Sequence, residues 1–311
     1  MAVEGTGPDG LSAEEGAIRT RYGKEGPAPG VIRAFRRFIT RFYASRGRDL
    51  PWRRTTDPYR ILVSEFMLQQ TQVERVLAKY PEFLSRFPDV HALARAPRRE
   101  VLIAWQGLGY NRRALALHET AGRIAVEFHG RVPLDRAILD SFPGIGPATA
   151  GAILAFSANR PEVFIETNIR RVFIHLFFPG AARVADREIL PILEKAVPPR
   201  HPREFYYGLM DLGSLLGRAA LNPNLRSAAH SRQSRFQGSD RQIRGIILRH
   251  LLGGAEQGPR ELKRLVSVRP ERLERILRRL EKDGFIERTN RGRIRCRDDP
   301  RPDHAIPGRE P

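Results

Sequence analysis

Cysteine is nearly missing: among 311 residues there is one, Cys296. That excludes an internal disulfide and any all-cysteine zinc or iron–sulfur site. Long apolar runs are missing too; none approaches the ~20 residues that a membrane helix needs. The first thirty residues, Met1 to Gly30, hold Gly, Pro and acidic groups without a basic-then-apolar signal pattern, and are expected to be a disordered leader on a cytoplasmic protein. Acidic residues are scarce, 35 against 54 Lys and Arg, which leaves a net charge of +19. Such an excess repels itself unless a polyanion neutralises it, so nucleic acid is the leading partner and a membrane is not. Arg greatly outnumbers Lys, and Arg offers phosphate the better fork, although genome composition also raises arginine content.

From Val31 to about Arg218, apolar residues recur at three- and four-residue spacing with Gly and Pro punctuation, as in Val31, Phe35, Phe38 and Phe42. No alternating strand pattern interrupts this, and the stretch is expected to be all-α. Residues 222–240 are polar and basic and begin on the turn Asn222-Pro223-Asn224; they are expected to be a linker lying on a phosphate backbone. Residues 241–297 predict three helices, carrying Ile243 to Leu251, Leu262 to Val266 and Leu273 to Leu280. The last stops at Gly284, and two short strands follow around Asn290-Arg291-Gly292. That order describes a winged helix-turn-helix. With 17 Lys and Arg against 7 Asp and Glu it holds over half of the excess charge, which favours DNA over a dimerisation role. Residues 298–311 are expected to be a disordered tail.

Three stretches carry chemistry. In Phe142-Pro143-Gly144-Ile145-Gly146-Pro147-Ala148-Thr149-Ala150-Gly151, two glycines let a tight turn expose backbone N–H groups at a helix start. Gly144, Gly146 and Thr149 are thus candidates to hold a phosphate without reading sequence. In Ser64-Glu65-Phe66-Met67-Leu68-Gln69-Gln70-Thr71-Gln72, the carboxyl of Glu65 sits among apolar neighbours, where desolvation favours the protonated form that a general acid needs. The amides and hydroxyl of Gln69, Gln70 and Thr71 suit a groove that meets base edges and phosphates. In Phe164-Ile165-Glu166-Thr167-Asn168-Ile169-Arg170-Arg171, Glu166 opens a helix, where the macrodipole stabilises an acid; an ordinary first-turn acid capped by Thr167 or Asn168 explains it equally well.

Leu50-Pro51-Trp52-Arg53, Ser64 to Gln72, Gly107-Leu108-Gly109-Tyr110, the Gly144–Gly151 hairpin and Met210-Asp211-Leu212-Gly213 resemble MutY-type adenine glycosylases of the helix-hairpin-helix superfamily, in order and approximate spacing. The resemblance covers about Leu50 to Gly217. It implies two helical subdomains over residues 31–221 with DNA and an extruded base between them. It also implies that Glu65 is the acid that protonates adenine N7, that Trp52 and Arg53 border the base pocket, and that Leu108 and Tyr110 lie in a loop that wedges into the duplex. Gln70 and Thr71 would then lie near the opposite base. The expected architecture is therefore an all-α two-subdomain helix-hairpin-helix glycosylase with a C-terminal winged helix.

Departures from the family pattern shape the rest. Glu166 stands where the family usually has Asp, the carboxylate that stabilises the sugar cation; Asn168 is expected to hold it. Ala148 stands where strand-cleaving relatives have Lys, so a monofunctional enzyme is implied. Residues 222–240 replace the family's four-cysteine loop, so no iron–sulfur cluster is expected; the remaining cofactor candidate is a monovalent cation at the hairpin. Leu221 and Leu225, packing with Arg226 or Arg232 on DNA phosphate, are expected to brace that region instead. The family's domain for reading 8-oxoguanine is replaced by the winged helix. Tyr206 and Tyr207 stand where adenine glycosylases commonly have Asn and Gln, and join the expected base pocket. The expected activity is removal of a flipped adenine opposite G or 8-oxoguanine by a nucleoid-associated monomer. The rivals are a thymine or uracil mismatch glycosylase, a non-catalytic DNA-binding protein and a structural chromatin binder.

Overall fold

The computed structural model describes residues 8–218, 222–230, 235–254 and 256–297. Among them fifteen α-helices run in order: α1 Pro8–Glu25, α2 Pro29–Arg46, α3 Pro58–Leu68, α4 Val73–Arg86, α5 Val90–Arg95, α6 Arg98–Ala104, α7 Arg112–Glu127, α8 Arg136–Asp140, α9 Pro147–Ala158, α10 Thr167–Phe177, α11 Asp186–Ala196, α12 Pro202–Gly217, α13 Asp240–Leu252, α14 Pro259–Val266 and α15 Pro270–Lys282. Strands β1 Ile286–Arg288 and β2 Ile294–Cys296 follow and pair antiparallel, Glu287 opposite Arg295. The helical architecture read from periodicity is the one that forms, and no described helix is long and apolar enough to cross a membrane. The chain divides into two compact units.

The first unit takes the described parts of Met1–Ile61, Leu134–Asp140 and Ile145–Arg232. Its core is built on α2, where Pro29 opens the helix and Val31, Ile32, Phe35, Phe38, Ile39 and Phe42 fall on one buried face. Phe35 meets Phe173, Phe177 and Phe205 edge-on at 5.0 to 5.9 Å, the arrangement that ring quadrupoles prefer. α9 is apolar all round, with Ala150 to Phe156 buried, as a central helix must be.

Two expectations fail in this unit. Residues 8–25 are a helix, not part of a disordered leader: Ile18 is buried, Tyr22 meets the ring of Phe177 edge-on at 4.8 Å, and Glu15 and Arg19 both bond His175. Its own amphipathic pattern is too weak to show, and contacts with α2 and α10 supply the order instead. Residues 222–230 are likewise not a linker on phosphate. Pro223–Arg226 form a 3-10 turn, Ser227 bridges to Val184, and Asn224 and Ser227 are buried. Leu225 is exposed rather than packed, and the guanidinium of Arg226 donates to the carbonyls of Phe178, Pro179 and Ala181 that follow α10. Leu221, Arg232 and residues 298–311 lie outside the described residues.

The second unit takes the described parts of Leu62–Pro133, Ser141–Gly144 and Gln233–Pro311. Phe83, Phe87 and Trp105 interlock edge-on beneath α4 and α6. Residues 241–297 were expected as a separate domain, but α13 packs on α6 within this unit. Buried Asp283 accepts from Arg112 and, at 2.6 Å, from Arg244, while Arg99 donates to the carbonyl of Leu252 at 2.7 Å. Burial alone works against a charged Asp283, yet these guanidinium bonds hold its carboxyl below the usual range. Charge pairing of this kind leaves no apolar periodicity in the sequence to announce it.

Candidate active site

In the second unit, Glu65 lies half-buried near the end of α3, between the buried Ser64 and Phe66. α3 stops because Gln70 takes a left-handed φ of 54°, which leaves terminal carbonyls without helical partners. Arg113 supplies them: its Nη1 donates to the carbonyls of Phe66 at 2.7 Å and Met67 at 3.0 Å. Its Nη2 donates to Thr71 Oγ1 at 2.8 Å and to the carbonyl of Gly109 at 3.0 Å. One buried guanidinium therefore joins the helix carrying Glu65, the Gln69–Thr71 turn and the Gly107–Tyr110 loop. Removal from water without a carboxylate partner pulls its pKa down to about 10, which leaves it charged near neutral pH.

The Gly107–Tyr110 loop takes left-handed φ at Gly107, Gly109 and Tyr110 (97°, 72° and 48°), uncommon for a side chain as large as tyrosine. Trp105 Nε1 pins Gly109 by its carbonyl at 3.1 Å, Leu108 is buried, and Tyr110 is exposed. The Tyr110 hydroxyl accepts from Arg241 Nη1 at 2.8 Å. The hairpin turn is braced from the same unit. Gly144 has φ 78°, and a Cβ there would press against the Phe66 ring. The Gly144 carbonyl accepts from Gln69 Nε2 at 3.0 Å, and the Pro143 carbonyl from Thr120 Oγ1 at 3.3 Å.

In the first unit, Glu166 is itself the cap of α10, and neither Thr167 nor Asn168 takes that part. Its Oε1 accepts from the backbone N–H of Asn168 at 2.8 Å and Ile169 at 3.0 Å, and its Oε2 from Asn168 Nδ2 at 3.3 Å. The other end of that amide accepts from Arg171 Nη1 at 2.7 Å, and Arg171 Nε donates to Asn222 Oδ1 at 3.1 Å. A relay thus runs from the segment 222–230 to the carboxylate. Burial pushes the Glu166 carboxyl up, against the lowering pull of the two N–H groups and of Arg171 and Arg170. Gly213 admits this packing, since a Cβ there would collide with the carbonyl of Asn168.

Arg53 also lies in the first unit and is almost wholly buried. Nη1 and Nη2 grip Asp211 at 2.7 and 2.9 Å, Arg48 adds a further bond at 2.6 Å, and the guanidinium carbon stands 4.5 Å from the centre of the Tyr207 ring. Burial disfavours charge on Asp211, but the Arg53 and Arg48 bonds outweigh it and hold its carboxyl low.

The family described as HhH-GPD superfamily base excision DNA repair protein matches residues 63–199. An adenine DNA glycosylase of Mycolicibacterium smegmatis is 37% identical over 271 residues, which spans 81% of this chain and 92% of the relative. The chain belongs to the HhH-GPD superfamily, within its MutY-type branch. A thymine-DNA glycosylase of Aeropyrum pernix is 35% identical over 190 residues, 59% of this chain and 85% of the relative. The solved structure of a thermostable thymine-DNA glycosylase superposes with a TM-score of 0.55 at 25% identity, over 63% of this chain and 91% of that one. A match over 81% of the chain cannot fit within residues 1–221, so the mycobacterial similarity runs on into the C-terminal region.

Within this HhH-GPD member, the sequence-derived site residues divide. Glu65, Gln70, Thr71 and Tyr110 lie on the second unit with part of their surface open, while Glu166 and Asn168 form one cluster on the first. Gly146 caps α9 with open space where a Cβ would stand, and Thr149 is half-buried in the first turn of α9. The expectations for Leu108, Tyr206, Tyr207, Trp52 and Arg53 need correction. Leu108 is buried and anchors its loop, so it cannot wedge into a duplex unless the loop rearranges. Tyr206 is wholly buried: it stacks on Phe164 at 4.2 Å, and its hydroxyl donates to the Glu162 carbonyl at 2.5 Å, with its pKa raised by burial. Tyr207 stacks on Phe156 at 4.7 Å, and Trp52 is buried with it. Arg53 is committed to Asp211. Gln69 braces the hairpin through its amide. Sequence reasoning missed Arg113, Arg171 and Asp211 as organisers. An arginine three residues beyond an exposed loop carries no local mark of burial, although Asp211 within a family motif was a clue.

A four-cysteine cluster does not fit this chain. Its one thiol, Cys296, is buried in β2, and the segment after α12 is held by Arg226 and the Val184–Ser227 bridge instead.

Proposed function

We propose that this chain is a monofunctional DNA glycosylase that hydrolyses the N-glycosidic bond of a flipped adenine opposite G or 8-oxoguanine, as a cytoplasmic monomer working without an iron–sulfur cluster. The observation that carries the reading is the half-buried Glu65 at the end of α3, clamped by Arg113 to two exposed loops, in a chain 37% identical to an adenine DNA glycosylase over most of both lengths. An enzyme cannot reach a glycosidic bond inside the stack, so the base is extruded at a cost of a few kcal/mol, and the exposed Tyr110 ring occupies the vacated space. Glu65 gives its proton to the base, and the C1′–N bond breaks with its electron pair leaving on the purine. The sugar acquires oxocarbenium character. Glu166 stabilises it as the anion while water adds to C1′ and releases a proton to solvent, from which the Glu65 carboxylate is reprotonated. Ala148 offers no nucleophile, so the product strand is abasic and intact. Gly144 and Gly146 leave the hairpin's N–H groups open to backbone phosphate.

The thymine reading has support in the 35% identical Aeropyrum relative. Its residue-level argument weakens here, because Tyr206 and Tyr207 are packed on Phe164 and Phe156 rather than lining a rebuilt pocket. Base release is to be measured from duplexes holding A, T, U or hypoxanthine opposite G or 8-oxoguanine, with alkali added only afterwards. Release of adenine, with strand breaks only after alkali, is expected. Glu65→Gln is expected to slow it by about 10²–10⁴-fold; excision at the parent rate sinks the assignment. Release of T or U selects the pyrimidine reading, and release of nothing selects a DNA-binding platform.

A further inference from the structure

Two sets of cations in the C-terminal region contrast, apart from the scattered exposed Arg249, Lys282 and Arg291. Arg272, Arg275, Arg278, Arg288, Arg293 and Arg295 each lie within 4 Å of a carboxylate of the same region. Arg260, Lys263, Arg264 and Arg269 do not: among the described residues their side chains make no hydrogen bond or ion pair, and all four are exposed. These four line a single open concavity of ≈ 800 Å³ at the turn between α14 and α15, together with Ser267, Val268 and Pro270. The neighbouring Glu261 is turned away, its carboxylate taken by the Gly258 N–H and by Arg293. α15, the helix that a winged-helix reading would send into a groove, has its arginines largely neutralised; the turn before it has not.

We infer that the concavity of Arg260, Lys263, Arg264 and Arg269 is a second DNA site, which grips duplex phosphates independently of the mispaired base. Four unpaired cations around one hollow repel one another, and a row of phosphates relieves that repulsion with the release of condensed counterions. Ser267, held left-handed at φ 49°, adds a hydroxyl on the same wall. The volume suits a run of sugar-phosphate better than one small anion. The site belongs to the same compact unit as the Tyr110 loop, tied there through Asp283 to Arg112 and through Arg241 to the Tyr110 hydroxyl. A duplex engaged by that loop meets a fixed hollow and not a swinging module. The chemistry at hand is phosphate contact, so the gain is affinity along the duplex and not sequence recognition.

The inference rests on the reading of the chain as a DNA enzyme, but its test needs no base release. Binding of the full chain to a long undamaged duplex is measured across salt concentrations. Joint replacement Arg260→Gln, Lys263→Gln, Arg264→Gln and Arg269→Gln is expected to shrink the slope of log K against log [salt] by about 3.6, at ~0.9 per lost phosphate contact. Lys263→Gln alone is expected to take about one, which guards against a folding defect in the fourfold variant. The already paired set, Arg272→Gln with Arg275→Gln and Arg278→Gln, is expected to leave the slope nearly unchanged. An unchanged slope in the fourfold and single variants overturns the inference, and so does an equal loss in the paired set. Failure of base release with an intact slope effect would remove the catalytic reading and leave this site standing.

Discussion

Each unit carries one buried arginine that organises the candidate residues around it, and the two meet opposite kinds of partner. Arg53 in the first unit meets a carboxylate, Asp211, along both arms, and the pair is nearly neutral. Arg113 in the second meets only carbonyls and a hydroxyl, and its positive charge stays uncompensated beneath the Gln69–Thr71 and Gly107–Tyr110 loops. A bidentate ion pair holds geometry while cancelling the charge of the buried guanidinium. A guanidinium on carbonyls also holds geometry, yet it exports charge to surfaces expected to face phosphate. The same residue type thus makes an inert strut in one unit and a charged one in the other.

The comparison breaks most readily at Asp211. Asp211→Ala leaves Arg53 buried without its partner and is expected to cost about 3–5 kcal/mol in denaturant unfolding. Because the folded-state pKa of Asp211 is depressed, its contribution is present above the ordinary carboxylate range. It is lost as pH falls toward the folded value, so the parent should shed stability in acid faster than Asp211→Asn does. Equal acid sensitivity in the two would mean that the pair contributes nothing.

Glu166→Gln sharpens the contrast from the other side. Glutamine keeps the oxygen that caps α10 but loses the charge and the second acceptor facing Asn168 Nδ2, so excision is expected to fall about 10²–10³-fold with only a small change in thermal stability at neutral pH. The sign follows from the raised pKa. A carboxyl whose folded pKa lies above its unfolded value favours folding in acid, and that advantage disappears as pH rises through the folded value. In the parent, excision should therefore decline on the acid side at a higher pH than an ordinary carboxylate would set; a pH–rate profile measures this.

Arg113→Met comes next, at about 1–3 kcal/mol, since several carbonyls lose a donor but no charge is stranded. Arg113→Lys should not restore the loss, because one ammonium cannot span the two loops and the helix end. Full rescue by lysine would show that charge alone matters there. The smallest effect belongs to Asn222→Ala, about 1 kcal/mol in stability with a few-fold loss of excision, through the relay to Arg171, Asn168 and Glu166. If excision were untouched while stability fell, the relay would be a brace of the segment and not of the carboxylate.

Much of the fold was legible because helices announce themselves by spacing: the buried face of α2, the all-apolar α9 and the left-handed φ of 75° at Gly284 after α15 all lie where periodicity and glycine place them. Local motifs likewise singled out Glu65, Tyr110 and the Gly144–Gly146 turn as candidates. What failed shares one cause. Leu108 sits between exposed residues, whereas Tyr206 and Tyr207 belong to a stretch buried from Phe205 to Leu209, and nothing within a few residues of either shows which side chains turn inward. The helix over residues 8–25 has too weak an apolar face to predict, and it is ordered by its contacts with α2 and α10.

The sequence by itself determined the helical class, the family motifs with their order, the missing cysteines and the excess of positive charge, because composition and short spacing encode these directly. Only the tertiary structure decided which arginines are struts and which are free. Arg53 and Asp211 stand far apart in the chain, as do Arg112 and Asp283, and Arg113 reaches back to carbonyls on α3. A buried ion pair is a long-range pairing of two common residues, and no local pattern distinguishes its members from the solvated charges around them.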